Sequence, residues 1–203
     1  MWSLLSKKVQ LTLILGAGFA SAWAVEALYS FVNSKPPGPL QIVSLAVTIV
    51  GGLLVVVADR CWRWVWRRVP VLGTWGFPDL NGTWKGALIS TWVNPETGKT
   101  PPPIETTITI RQRLFSTHVS QKTGESDSHS TLCFLERFPE TRRFRLWYRY
   151  DNVPKARVQH RSNPHEGVAY LEFDADKSGS RLAGRYYTAR KTSGDIDIRR
   201  VRR

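Results

Sequence analysis

The chain has 203 residues, 42% of them hydrophobic, and a formal net charge of +13. This length accommodates one or two domains, and the basic balance predicts an anionic partner: nucleic acid, an acidic membrane surface or a small anionic ligand. The two cysteines, Cys61 and Cys133, form no CxxC motif, which excludes a disulfide-rich scaffold and a cysteine-based zinc site. A disulfide between them is not expected.

Two apolar stretches occupy the N-terminal third of the chain. Residues 9–32 contain a single charge, Glu26, and residues 40–58 contain none. A helix needs about 20 apolar residues to cross a bilayer, and each stretch is long enough. A short proline-rich connector, residues 33–39, separates them. The sequence therefore predicts a transmembrane helical hairpin with a basic, tryptophan-rich flank in residues 1–69, and a second domain in residues 70–203.

The placement of lysine and arginine predicts the orientation of this hairpin. Two lysines precede the first stretch and four arginines follow the second, whereas the connector holds only Lys35. Because cytoplasmic flanks carry the excess of basic residues, both termini of this two-span protein are expected in the cytoplasm. The alternative is a signal peptide cleaved after "ASA", residues 20–22, which would leave one span.

The first apolar stretch also contains candidate assembly residues. Gly16 and Ala20 have a small-xxx-small spacing, and Gly18 lies between them. Such spacing allows two helices to approach closely, either within one hairpin or between protomers. Glu26 lies near the end of the stretch, where it reaches the interface or, if it lies deeper, faces a partner helix or water.

From residue 79 onward the sequence changes to a period of two. Short strands separated by turn-forming residues, with no helical period between them, predict an all-β sandwich or closed barrel. Eight antiparallel strands suffice for a compact barrel. The predicted strands cover residues 82–92, 104–113, 115–122, 128–138, 144–150, 167–174, 181–190 and 196–203.

Alternation along these strands assigns an apolar inner face and a polar outer face. The inward-facing side chains of one strand form an inner row. Several inner rows begin with apolar residues and end with polar ones, and the polar ends are expected to meet at one mouth of the barrel. The row that begins at Leu182 ends at Arg190, which would present a charge to an anionic ligand. Arg185 and Lys191 fall on the outer face. The polar ends of the inner rows are Gln112, Tyr150, Asn152, Thr188 and Arg190.

Motifs of catalysis and of metal binding are absent from the sequence. The four histidines form no HxxxH or HExxH pattern, and no nucleophile, Walker or Rossmann motif occurs. We therefore expect no enzyme, no metal site and no cofactor.

An ordered set of fragments along nearly the whole chain resembles one family. These fragments follow the two-span hairpin and read "DLNGTWKG", "ITIRQ", "KTGESDSHS", "YRYDNVP", "HEG" and "LAGRYYTARKTSGDIDIRR". They resemble the two-transmembrane β-barrel effectors of bacterial cyclic-oligonucleotide antiphage (CBASS) systems, which are associated with cGAS/DncV-like nucleotidyltransferases. Leu114 and Thr117 depart from the family pattern in the third strand.

The resemblance implies a receptor in the bacterial inner membrane. A cyclic di- or oligonucleotide would bind the cytoplasmic barrel, the protein would form homo-oligomers, and the spans would disrupt the membrane lipids; the sequence leaves open whether this occurs by a pore or by general damage. The last two strands and the serine-rich turn would contribute to ligand capture. Arginine suits phosphate, hydroxyls and amides complete the hydrogen bonds, and aromatic rings stack on bases. The candidate ligand residues are Arg190, Thr188, Tyr186, Thr192, Gln112, Ser126, Ser128, Tyr148, Tyr150, Asn152 and Trp84.

Three other interpretations remain open at this point. The barrel could hold an apolar or lipid-like ligand, as lipocalin-type barrels do, although the polar row ends disfavour this. The outer basic face could bind nucleic acid with a strong dependence on salt, but no nucleic-acid partner is expected. Arg190 could form a structural ion pair with Asp195 or Asp197 instead of a ligand contact.

Overall fold

The computed structural model describes residues 6–32, 38–56, 64, 68, 78–113, 115–141, 143–174 and 180–201. They divide into a helical unit and a β-barrel unit. The boundary predicted between residues 69 and 70 lies outside the described residues and stays a prediction.

The helical unit consists of α1 (Lys7–Val32) and α2 (Pro39–Val56), which pack against each other. The Ser6 hydroxyl caps α1 by accepting a hydrogen bond from the Val9 N–H at 3.3 Å. Proline at the first position of α2 suits a helix start, because that position needs no intrahelical N–H bond. Val25 and Ala46 are buried, whereas most other large apolar side chains of the two helices are exposed.

Within the described residues, one helix, α1, is long and apolar enough to cross a membrane. The apolar helix α2 has 18 residues, and the end of the predicted second span lies outside the described residues. Trp64 and Arg68 belong to the flank that follows, and the Arg68 guanidinium lies 5.4 Å from the centroid of the Trp64 ring. This pair is typical of a helix end at a membrane interface.

The barrel unit is a closed, antiparallel, eight-stranded barrel, which confirms the predicted fold class. Each strand pairs with its neighbours in the chain, and β1 pairs with β8 to close the sheet. The strands are β1 (Gly82–Ser90), β2 (Ile104–Gln112), β3 (Thr117–Thr123), β4 (Ser126–Phe138), β5 (Arg143–Pro154), β6 (His165–Asp174), β7 (Arg181–Thr188) and β8 (Ser193–Arg200).

Side-chain alternation places a dense apolar core inside the barrel, as the sequence predicts. The inner rows bury one tryptophan and several branched aliphatic side chains, whereas Arg145 and Arg149 lie on the outer face of β5 and are paired with glutamates. The fully buried large apolar residues of the strands are Trp84, Ile108, Ile110, Val119, Leu146, Leu171, Leu182, Ile196 and Ile198.

The connection between β7 and β8 differs from the prediction. The predicted strand continues to Arg190, but β7 ends at Thr188 and β8 already begins at Ser193. The Thr188 N–H donates to the Thr192 carbonyl at 2.9 Å, and Lys191 adopts a left-handed conformation with φ of 60°. The tight turn therefore lies at residues 189–192, and Arg190 belongs to this turn and not to the inner row.

Candidate ligand-binding site

The strand directions give the barrel two chemically different ends. The first end contains the start of β1 and the last residues of β2 and β8. The second contains the last residues of β5 and β7 and the first residues of β4, β6 and β8. The first is referred to below as the sealed end and the second as the mouth.

The segment that enters β1 seals the first end. The Leu80 N–H donates to the Gln112 side-chain oxygen at 2.8 Å, and the Trp84 indole N–H donates to the Leu80 carbonyl at 3.1 Å. Asn81 adds two bonds to the Gln112 backbone, at 2.7 and 3.0 Å. Leu80 and Trp84 are at most 1% exposed. The fragment "DLNGTW" therefore closes this end of the barrel.

The end of β8 completes this seal. The Arg200 guanidinium lies 4.6 Å from the centroid of the Trp84 ring and donates to the Asp79 carbonyl. A cation over an indole face stabilises both groups where solvent is excluded. Gln112 and Trp84 thus have structural partners at the sealed end. The expectation that Gln112 meets the other polar row ends at one mouth is wrong, because β2 ends at the opposite end of the barrel from β5 and β7.

The mouth brings together most of the other predicted site residues. Tyr150, Gly167 and Thr188 lie side by side on β5, β6 and β7. Asn152 lies across from Ser128, whose hydroxyl donates to the Asn152 side-chain oxygen at 2.8 Å. The prediction that Tyr150, Asn152 and Thr188 meet at one mouth is therefore confirmed as geometry.

Two tyrosine rings of the mouth lie over glycines of neighbouring strands. A Cβ at Gly167 would lie 2.3 Å from the Tyr150 ring, and a Cβ at Gly194 would lie 2.7 Å from the Tyr186 ring. Glycine at these two positions leaves room for the rings. Neither glycine was a candidate from the sequence. The signal that could have identified them is a glycine paired with an inward-facing tyrosine on the neighbouring strand. Recognising this pair requires knowledge of the strand register.

Tyr148 lies one inward position deeper than Tyr150, and the two ring centroids are 5.9 Å apart. Its phenol oxygen is buried and has no hydrogen-bond partner among the described residues. Burial raises the pKa of Tyr148, and burial together with Tyr186 raises the pKa of Tyr150 to about 12. Both phenols therefore stay protonated at neutral pH, and Tyr150, which lies nearer the rim, is the one placed to donate a hydrogen bond at the mouth.

Hydroxyl groups line two turns at the mouth. The Thr188 and Thr192 hydroxyl oxygens are 2.7 Å apart across the β7–β8 turn. In the β3–β4 turn, the Thr123 and Ser126 hydroxyl oxygens are 3.1 Å apart. These pairs stabilise the turns, and each hydroxyl keeps capacity for a further hydrogen bond.

Arg190 is exposed on the rim of the mouth, and its guanidinium donates to the Ser162 hydroxyl at 2.9 Å. The alternative of a structural ion pair with Asp195 or Asp197 is wrong. Asp195 pairs with Arg185 at 3.2 Å, and Asp197 pairs with Arg181 at 2.6 Å on the outer face. The bond from Arg181 holds the pKa of Asp197 below its usual value.

The cations of the barrel divide into two groups by their partners. On the outer face, Arg145, Arg149, Arg181 and Arg185 each pair with a carboxylate. On the rim, Arg190 has no carboxylate partner within the part of the chain that the structure describes. Its positive charge contributes to a lowered pKa of His165, for which burial is the larger cause. Positive charge is therefore neutralised at these four arginines, whereas Arg190 keeps its charge available at the mouth.

The histidines and carboxylates of the barrel are its possible metal ligands. Among the described residues, no group of three or more histidine, cysteine, aspartate or glutamate side chains is arranged to hold a metal ion. His118 and His129 stack with ring centroids 6.2 Å apart, and His118 contacts the Ser130 hydroxyl.

A closed barrel with one sealed end presents tyrosines, hydroxyls, an amide and an arginine at its mouth, and these groups suit the binding of a small anionic ligand. Residues 75–200 match the family model of the Cap15 cyclic dinucleotide receptor domain. The match covers more than half of the chain, so the protein belongs to this family, and the resemblance to CBASS effectors is confirmed. Cyclic-oligonucleotide sensing by its barrel follows from this membership. No curated protein matches the chain.

Proposed function

We propose that this protein is a membrane-anchored antiphage effector that binds a cyclic dinucleotide at the barrel mouth and then assembles to disrupt the inner membrane. The observation that carries the proposal is the convergence of Tyr150, Asn152, Thr188 and Arg190 at one open end. Arginine matches phosphate oxygens, and tyrosine rings offer stacking faces for bases. Family membership supports the same ligand class.

The filled interior supports a ligand position at the mouth. Large apolar side chains occupy the barrel from the sealed end up to the level of Tyr148. An eight-stranded barrel leaves room only for its own side chains or one small ligand. A cyclic dinucleotide therefore binds at the rim and upper wall, and the lipocalin-like alternative, an apolar ligand deep inside, gains no support.

The helical unit supports the membrane part of the proposal. Both helices cross the inner membrane, with the N- and C-termini in the cytoplasm, as the lysine and arginine placement predicts. A Cβ at Gly16 or Gly18 would meet no atom within 4 Å, so these glycines are not packed within the hairpin. Glu26 and Ala20 are exposed on α1. Contact between protomers would use the row that contains Gly16 and Ala20, or the row on the opposite side of the helix that contains Gly18. Glu26 would face a partner helix or water.

The testing experiment measures binding of the full-length protein in detergent to the cyclic dinucleotides and trinucleotides of adenosine, guanosine, cytidine and uridine. We expect at least one to bind and to increase the oligomer size. Failure of every cyclic nucleotide to bind would contradict the proposed function.

A separate experiment tests the topology. A reporter fused after Arg203 is expected in the cytoplasm, and one inserted at Gly38 in the periplasm. The mass of the membrane-extracted protein decides the signal-peptide alternative, since cleavage would remove about 22 residues. A periplasmic C-terminus would contradict the proposed orientation.

A further inference from the structure

The connection between β5 and β6, residues 155–164, lies along the rim of the mouth. It contacts both the β3–β4 turn and the β7–β8 turn. These two turns are four strands apart in either direction around the eight-stranded barrel, so they lie on opposite sides of the mouth. Because β5 and β6 lie between the two turns on one side of the barrel, their connection links the turns along that side of the rim. We call residues 155–164 the lid segment.

Cationic side chains attach the lid segment to the β3–β4 turn. Lys155 Nζ donates to the Gly124 carbonyl at 2.9 Å and to the Thr123 carbonyl at 3.3 Å. Arg157 donates to the same Gly124 carbonyl at 2.7 Å. The Lys155 N–H also donates to the Glu125 carbonyl at 2.8 Å. Two positive charges are thus held beside one turn of the mouth.

On the opposite side, the Ser162 hydroxyl of the lid segment accepts the hydrogen bond from Arg190. Between these two attachments, Val158 is only 5% exposed. A buried valine in a ten-residue surface connection shows that the segment packs down on the barrel and does not extend into solvent.

The acceptors of these three cations are all neutral. Lys155 and Arg157 bond to backbone carbonyls, and Arg190 bonds to a hydroxyl. Hydrogen bonds from these groups to an ionised phosphate are stronger than bonds to neutral oxygens. A phosphate that reaches the mouth can therefore displace the present acceptors. In contrast, Arg161 of the same segment pairs with the Glu125 carboxylate, which already neutralises it.

We propose that the lid segment closes over the ligand and supplies the second phosphate contact, with Lys155 and Arg157 binding one phosphate and Arg190 binding the other. The proposal rests on the proposed function. A cyclic dinucleotide carries two phosphates at separate positions of its ring, so cations on opposite sides of the mouth match it. On binding, the lid segment exchanges its bonds to Gly124 and to Arg190 for bonds to the ligand.

The test compares variants of the full-length protein in detergent against a panel of the cyclic dinucleotides of adenosine, guanosine, cytidine and uridine. Lys155→Gln combined with Arg157→Gln is expected to weaken binding of the panel member that wild type binds best by about tenfold or more. The matched control, Arg161→Gln, changes affinity by less than about twofold, because that charge is paired and exposed. Ser162→Ala does not weaken binding, since Ser162 holds only the unliganded lid.

Two further measurements separate a contact from a folding defect. The charge-conserving pair Lys155→Arg with Arg157→Lys is expected to bind more tightly than the double glutamine variant, because both positive charges remain, and more weakly than wild type, because the fork of donors has changed position. In wild type, the same cyclic dinucleotide should slow tryptic cleavage after Lys155 and Arg157. Unchanged affinity of the double glutamine variant, or unchanged cleavage at saturating ligand, would overturn the lid proposal while leaving the proposed function intact. If no panel member binds wild type, the proposed function itself is wrong.

Discussion

The ring of Tyr150 lies directly over Gly167, so close that a Cβ on the glycine would be 2.3 Å from the ring. The two residues are partners across β5 and β6 at the mouth. Glycine thereby sets the position of the aromatic ring that, under the proposed function, would stack on a base. The geometry of the mouth depends on a residue that has no side chain of its own.

Gly167→Ala is expected to displace the Tyr150 ring, to destabilise the barrel by ~1–3 kcal/mol and to weaken cyclic-dinucleotide binding. Adding Tyr150→Leu should recover part of the stability but not the binding. Leucine removes the clash with the ring and offers no stacking face, while the Tyr187 carbonyl would still lie 2.7 Å from the added Cβ. Melting curves and calorimetric titration check both effects. Gly124→Ala is the control for stability, since its Cβ would meet open space; a similar loss of stability in that variant would contradict the explanation.

Arg190→Ala is expected to weaken cyclic-dinucleotide binding by ~2–3 kcal/mol, or about 30- to 200-fold. Arg190→Lys recovers only part of this, because lysine keeps the charge and loses the fork of donors. The unliganded melting temperature should stay near that of wild type, since in the described part of the chain the Arg190 side chain bonds only to Ser162, on the exposed rim.

Arg185→Ala and Lys191→Ala are the controls for Arg190. Both side chains are exposed, and Arg185 is paired with Asp195 on the outer face. The expectation that Lys191 lies on the outer face of a strand is wrong, because β7 ends at Thr188 and Lys191 belongs to the same turn as Arg190, so this variant tests general charge at the rim. Near physiological salt, their removal should change affinity little. An equal loss of affinity in all three variants would show that general positive charge, and not a rim contact, attracts the ligand.

Gln112→Ala is expected to show the opposite behaviour to Arg190→Ala. Its side chain accepts the buried Leu80 N–H at the sealed end. Removing that acceptor leaves the donor unsatisfied and costs ~1–3 kcal/mol, which lowers the melting temperature by several degrees. Ligand affinity measured on the folded variant should not change. A variant that melts normally but binds the ligand more weakly would show that Gln112 contacts the ligand.

His165 provides a dependence of stability on pH. Burial, together with the positive charge of Arg190, lowers its pKa in the folded protein. The unfolded chain, with a pKa of ~6.5, therefore takes up a proton first, and stability falls as pH drops below about 6.5. Melting curves of wild type and His165→Gln should diverge in this window, with wild type losing more. Parallel curves would contradict this origin, and exposed His160→Gln is the control.

Gly18→Leu is expected to abolish toxicity in cells while leaving nucleotide binding of the full-length protein intact. A leucine there blocks close approach of a second hairpin, and no atom of the same hairpin lies within 4 Å of the added Cβ. Phe19→Trp, which adds bulk at an exposed position of α1 outside the rows of small residues, is the control and should remain toxic. Loss of ligand binding in Gly18→Leu would mean that sensing and assembly are not separable.

The sequence by itself determined the strands and their inner faces. Alternation is a local property of an extended chain, so residues such as Trp84, Ile108 and Leu146 were assigned to the interior before any strand was paired. The same local rule fails on β4, where a register shift between Ser130 and Leu132 interrupts the alternation. As a result, Leu132 and Phe134 lie exposed on the outside, although strict alternation from buried Ser128 would place them inside.

The tertiary structure alone decided which polar residues share an end of the barrel. Whether a row ends at the mouth depends on strand direction and on closure of β1 with β8, which are non-local hydrogen-bonding relationships. For this reason Gln112 lies at the sealed end, while Tyr150 and Thr188 meet at the mouth. Gly167 and the lid segment acquire their roles in the same way, because a cross-strand partner and a span between opposite turns exist only once all eight strands have closed.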